Sequence, residues 1–334
     1  MKKALFLCLT LITATFGFAQ NFSIKQFATL SRNDTIIGTY YGSNALYQAI
    51  NASSSGDVIN LSSGNFSTNN YSIQRSLTIR GIGHTTDSVT EMEPTIIHGT
   101  LYFGAYASFF MEGVYLESLN VSGQSSNNRI SKCKITTFDS HSGNNTISNC
   151  IIDNYIETCG DANTLINNVI LNYIQNYTYC GNNPRSNVFH NCILGISPAL
   201  TDYLFINNCI TFYNDTIPSQ GNANYVYNTV GIKPNDTSAF YQDRAGHNNQ
   251  TAHSFSSIFK TFNGTYTDGE TFELQDNIAN TLLGSDSTQI GIYGGSLPFN
   301  SRITDPRIRH YSVDLNSNSN NQLNVYIELD NSNN

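Results

Sequence analysis

The feature that most constrains this chain is a short segment that returns about every twenty residues. It reads NRISKCKI (Asn128 to Ile135), NTISNCII (Asn145 to Ile152), NTLINNVI (Asn163 to Ile170), NVFHNCIL (Asn187 to Leu194), LFINNCI (Leu204 to Ile210) and NYVYNTV (Asn224 to Val230). A marker position runs Cys133, Cys150, Asn168, Cys192, Cys209, Thr229, at intervals of 17, 18, 24, 17 and 20 residues. Leucine-rich and ankyrin arrays have similar periods. These segments lack their leucine pattern and their helical stripe, and are rich in Ile, Val, Asn and Thr, which suits strands. Each unit is too short to bury its apolar face alone, so stability must come from stacking neighbours.

Within a unit, apolar alternation slips by one residue just before the marker. A strand bends there, and Asn tolerates the left-handed backbone that such a bend needs. Asn149, Asn167, Asn191, Asn208 and Asn228 are the expected structural bend residues, with amides bonding from coil to coil. Lys132 interrupts the row at its start. Upstream, SLTIRGIG (Ser76 to Gly83) and SFFMEGVYL (Ser108 to Leu116) follow the same template, with Arg80 and Glu112 expected at the bend. The register places Cys133, Cys150, Cys192 and Cys209 inside as stacked thiols. Cys159 and Cys180, in matching turns, are the best disulfide candidates.

The fold that follows is all-β: a right-handed parallel β-helix solenoid with a short N-terminal capping helix and a small C-terminal β extension. Leu46, Ala49 and Ile50 at helical spacing in GSNALYQAINASSSGD (Gly42 to Asp57) predict the helix, and DVINL (Asp57 to Leu61) the first strand. Residues 1–20 read as a signal peptide, with a basic start, a short apolar run and a small-residue exit; residues 21–300 form the solenoid domain and 301–334 the C-terminal extension. The expected location is therefore outside a bacterial cell, secreted or at its surface. No later run is long enough to span a bilayer. Charged residues are 12% of the chain. Without Lys2 and Lys3, 14 basic residues stand against 24 acidic ones, a net charge near −10 that argues against nucleic acid or anionic membrane as partner.

The run ALYQAINASSSGDVINLSSGNF followed by YSIQRSLTIRGIG resembles the opening of right-handed parallel β-helix proteins of the pectin-lyase-like superfamily, and the repeat resembles their coils. GSDSTQIGIYGGSLPF (Gly284 to Phe299) is similar to the closing motif of secreted Bacteroidetes β-helix proteins. The resemblance covers about Ser43 to Phe299. It implies the fold, and a superfamily holding lyases, hydrolases, adhesins and members without assigned activity, so function must come from sites.

Hydrolysis of polygalacturonate needs paired carboxylates. Asp139, Asp153, Glu157 and Asp161 fall within two coils and are weak candidates for catalysis or calcium binding, against solvated turn carboxylates. Lyase chemistry needs a basic residue, and these are scarce: Arg129, Lys132, Lys134 and Arg185 in the coils, with Lys132 and Lys134 expected to decorate the surface. Arg302, Arg307 and Arg309 lie beyond the closing motif. No zinc spacing occurs, and no cofactor is expected, with calcium the weaker alternative. Phe138, Tyr155 and Tyr173 each fall five residues after the marker and should stack, with Tyr177 and Tyr179 nearby; exposed, such a stripe is a platform for sugar rings, and buried it is core. After Gly231 the repeat fades, Pro234 to Thr251 reads as a loop, and strand signals return at Phe255 to Phe262, Thr271 to Leu274 and Ile290 to Tyr293. Three readings stay open: a non-catalytic glycan-binding or adhesin-like scaffold, which leads; a diverged polysaccharide lyase or glycoside hydrolase; and a structural module of a secreted assembly. Oligomeric state is not legible.

Overall fold

A computed structural model describes residues 26–68, 70–86, 92–158, 162–171, 173–175, 187–195, 204–212, 225–233, 248–252, 254–301, 307–313 and 325–330. Residues 1–25, Asp161, Cys159, Cys180, Tyr177, Tyr179, Arg185 and residues 234–247 lie outside them.

The chain winds into a parallel β-solenoid of about seven turns. Successive coils supply one strand each to an 11-stranded and a 12-stranded sheet. In the first sheet, Thr146–Ser148 pairs in parallel with Arg129–Ser131 on one side and Thr164–Ile166 on the other. In the second, Ile151–Thr158 pairs with Lys134–Ser140 and Val169–Ile170. The bend between the sheets is the Asn position. Asn149, Asn167, Asn191, Asn208 and Asn228 have φ between 47 and 55°. Lys132 occupies the same conformation at φ 53°. Upstream the expectation is off by one residue: Arg80 and Glu112 close strands, and Gly81 and Gly113 follow them at the corner. Gly113, at φ 66°, enters the left-handed region without a Cβ to clash. Backbone N–H groups of Gly81, Gly113, Lys132, Asn149, Asn167, Asn191 and Asn208 each donate to the next coil at 2.8 to 3.3 Å, so pairing continues through the bend.

The amide ladder exists, but at another asparagine. The leading asparagines Asn128, Asn145, Asn163 and Asn187 are buried, and the N–H groups of Asn128, Asn145 and Asn163 donate to Oδ1 of Asn145, Asn163 and Asn187 at 3.0 to 3.1 Å. The marker row works likewise: Cys150 N–H donates to Asn168 Oδ1 (2.8 Å), Cys192 N–H to Cys209 Sγ (3.3 Å) and Cys209 N–H to Thr229 Oγ1 (3.3 Å). This explains why the marker is a small acceptor: it satisfies a corner amide that the ladder would leave unpaired. Cys133, Cys150, Cys192 and Cys209 are free, fully buried thiols, as the register requires.

Before the first coil, Phe27–Arg32 and Thr35–Tyr41 form an antiparallel hairpin on the first sheet, a feature the repeat does not announce. The helix Ala45–Ala52 buries Leu46, Ala49 and Ile50 into the same core as the coils. Among the described residues no helix is long and apolar enough to cross a membrane.

The C-terminal segment corrects the expected strands. Residues 254–301 contribute no ladder strand; they hold a 3-10 turn at Phe255–Ser257, a helical turn at Asp276–Ala279 and isolated bridges. Their apolar residues instead cover the outside of the second sheet. There Ile151, Val169, Ile193, Ile210 and Val230 align from coil to coil. Ile258, Phe259, Phe262, Phe272, Leu274, Ile290 and Ile292 bury them in a second hydrophobic cluster. The segment then runs back over the bend row as a strap. Asn208 Oδ1 accepts from Ser285 N–H (2.9 Å), Asn167 Nδ2 donates to the carbonyls of Ile292 (2.7 Å) and Gly294 (2.8 Å), and Asn149 Oδ1 accepts from Asn300 N–H (2.9 Å). The amides of Asn149, Asn167 and Asn208 thus hold the strap rather than one another, whereas the Asn191 amide is buried without a hydrogen bond and Asn228 donates to Asn207 Oδ1 (3.2 Å) and accepts from Asn248 Nδ2 (3.3 Å). Arg307–Val313 and Val325–Asp330 form an antiparallel hairpin, the β extension.

Candidate functional site

Where the strap does not lie, the second sheet presents two outward rows of polar and aromatic side chains. One runs Thr100, Ser118, Thr137, Tyr155 and the other Tyr102, Asn120, Asp139, Glu157, each residue facing its neighbour in the next coil. All are partly exposed or exposed, while the alternate residues Leu119, Phe138 and Ile156 are buried. This is the alternation of a strand with one face on the core.

The expected aromatic stripe is corrected here. The strand Ile151–Thr158 carries one more residue after its corner than Lys134–Ser140, which shifts the register between Ile135 and Thr137. Phe138 therefore sits beside Ile156 in the core, and it is Thr137 that meets Tyr155. Tyr155 and Tyr173 do align, through their backbones.

Of the three described carboxylate candidates, two come together. Asp139 and Glu157 are cross-strand neighbours, and their oxygens lie within 4.8 Å of each other and of a His141 ring nitrogen. His141, two residues after Asp139, was not anticipated. Asn120 Nδ2 donates to Asp139 Oδ2 at 2.7 Å, and the Tyr155 hydroxyl donates to Glu157 Oε2. Burial pushes the Asp139 carboxyl above its usual range; the Glu157 charge adds to this and His141 opposes it.

Asp153 stands apart, in a cluster that closes the apolar stripe. Its partner is Lys134, which is buried and not a surface decoration; Lys132 is buried too. Lys134 Nζ lies 2.7 Å from Asp268 of the C-terminal segment and 3.7 Å from Asp153, over the rings of Tyr115 (5.2 Å) and Tyr266 (4.8 Å). Burial raises the Asp153 carboxyl, and Lys134 opposes that shift. The hydrogen bond from Lys134 holds Asp268 below the usual carboxylate range. Beside them His84 is buried with neither ring nitrogen hydrogen-bonded, and burial, with the Lys134 charge, lowers its pKa to about 4. An ammonium fixed between two carboxylates and two rings joins the C-terminal segment to the coils and is poorly placed to act as a base.

Among the described residues, Arg129 does not join the acidic pair. Arg129 lies on the first sheet, where it and Arg80 flank the Phe110 ring at 5.6 and 5.7 Å. Sequence spacing hinted at the site that does form, since Asn120, Asp139 and Glu157 are separated by 19 and 18 residues, one coil each. Comparison of the chain with protein-family models, curated proteins and solved structures finds no match.

Proposed function

We propose that this is an exported, non-catalytic carbohydrate-binding solenoid that takes a glycan chain along the outer face of its second sheet. The observation that carries the reading is the pair of outward rows at one residue per coil, which repeat hydrogen-bonding groups at the strand spacing of about 4.8 Å and carry one tyrosine each, Tyr102 and Tyr155. Tyr102, 38% exposed, offers a ring face. Asn120, Thr137 and Ser118 offer groups for hydroxyls. Export rests on the leader-like residues 1–20.

A second reading has one observation in its favour. Asp139 and Glu157 are neighbouring carboxyls whose oxygens lie within 4.8 Å of each other, and glycoside hydrolysis works through a carboxyl pair. One experiment separates the two. The purified protein is run through gels containing plant and algal polysaccharides, and the same mixtures are assayed for reducing and unsaturated ends. Retardation by a polysaccharide that is left intact supports binding. Product release that disappears in Glu157→Gln would replace it with the hydrolase reading.

A further inference from the structure

Asp139, His141 and Glu157 each offer one ligand atom, and the three atoms lie within 4.8 Å of one another. We propose that they form a site for a divalent transition cation of the zinc class, independent of whether the same face binds carbohydrate.

The fold assembles this set without a long loop. Parallel pairing puts Glu157 beside Asp139, and His141 follows Asp139 at the two-residue spacing that returns a side chain to the same face. Each carboxylate has one oxygen already held, Asp139 Oδ2 by Asn120 at 2.7 Å and Glu157 Oε2 by the Tyr155 hydroxyl. Ligating carboxylates in metal sites are oriented in this way by outer hydrogen bonds. The other oxygen of Asp139 is the informative atom. Oδ1 is shut off from solvent and accepts no hydrogen bond, although it lies 3.3 Å from His141 Nε2. With the neutral imidazole that ligates metal, Oδ1 has no hydrogen-bond donor, and a cation bound among Oδ1, Nε2 and Glu157 would satisfy it.

The donor types select the ion. Calcium takes six to eight oxygen ligands, whereas one imidazole nitrogen with two carboxylate oxygens suits zinc and its neighbours. Three protein ligands leave a fourth position for water or for an oxygen of a ligand.

The test uses the whole mature chain, with any affinity tag removed and metal stripped by chelator. Zinc chloride and calcium chloride are titrated separately by calorimetry, and cobalt(II) is added to read visible absorption bands. The expected result is one zinc ion per chain, with affinity at least about tenfold weaker in His141→Ala and in Glu157→Gln, and with cobalt bands that vanish in His141→Ala. The His141 side chain is 48% exposed, so its replacement leaves the fold intact, which an unchanged thermal melt verifies. His98→Ala, at the separate His98–Glu117 pair, should bind as the parent does. The proposal is overturned if zinc does not saturate at one per chain, if His141→Ala with Glu157→Gln binds zinc as the parent does, or if calcium binds as tightly as zinc.

Discussion

At the scale of single residues, the bend asparagines carry two duties that substitution can separate. Asn167 supplies a left-handed backbone at φ 54° and two hydrogen bonds to the strap. Asn167→Gly keeps the backbone freedom and loses the bonds, so it should cost about 1–3 kcal/mol. Asn167→Ala loses the same bonds and keeps a Cβ in a conformation that Asn tolerates and Ala does not, so it should cost about 1–2 kcal/mol more than the glycine variant. Denaturant unfolding of both variants measures the difference, and equal costs would mean that the backbone is not constrained there. On the strap, a Cβ at Gly284 would come within 2.5 Å of Asn208 Cγ, so Gly284→Ala should destabilise by about 1–3 kcal/mol in the same assay. His84 gives a pH signature. Its pKa falls from 6.5 to about 4 on folding, so between those values the unfolded chain binds more protons. Stability from its neutral form is complete above pH 6.5 and is lost as pH falls toward 4, by on the order of 3 kcal/mol. Replacing His84 by Leu should flatten that part of the stability–pH curve; an unchanged slope would place its origin elsewhere.

At the scale of elements, the C-terminal segment is what the outer sheet face requires. Ile151, Val169, Ile193, Ile210 and Val230 point outward from strands whose inward residues already fill the core, so three consecutive residues are buried in Ile193–Gly195 and Ile210–Phe212. Each aliphatic side chain contributes about 1.5–3 kcal/mol by leaving water. A chain ending at Ala252 should therefore expose a continuous apolar stripe, bind a hydrophobic dye and self-associate in size-exclusion chromatography. A monomeric truncation without dye binding would contradict that role. The repeat made the coils legible because periodicity and backbone conformation are local. Asn149, Asn167, Asn191, Asn208 and Asn228 all take the predicted bend. What those amides bond to was not legible, because the strap lies 77 to 151 residues away in sequence. The aromatic stripe failed for a related reason: counting five residues from the marker ignores the extra residue at one corner, and a slip of one sends Phe138 to the opposite face.

At the scale of the whole molecule, the solenoid divides its outer surface by coverage. One half of the second sheet is closed by the chain itself, and the other carries Tyr102, Asn120, Asp139 and Glu157 in register. The outer first sheet differs, with Arg80 and Arg129 against Phe110. We propose that carbohydrate is recognised on the open half of the second sheet. It is tested most directly by gel retardation with the best-binding polysaccharide, comparing Tyr102→Ala/Asn120→Ala with Arg129→Ala on the opposite face. Retardation should be lost, by roughly tenfold or more in affinity, in the first variant alone. Retardation that survives there and disappears in Arg129→Ala would contradict it.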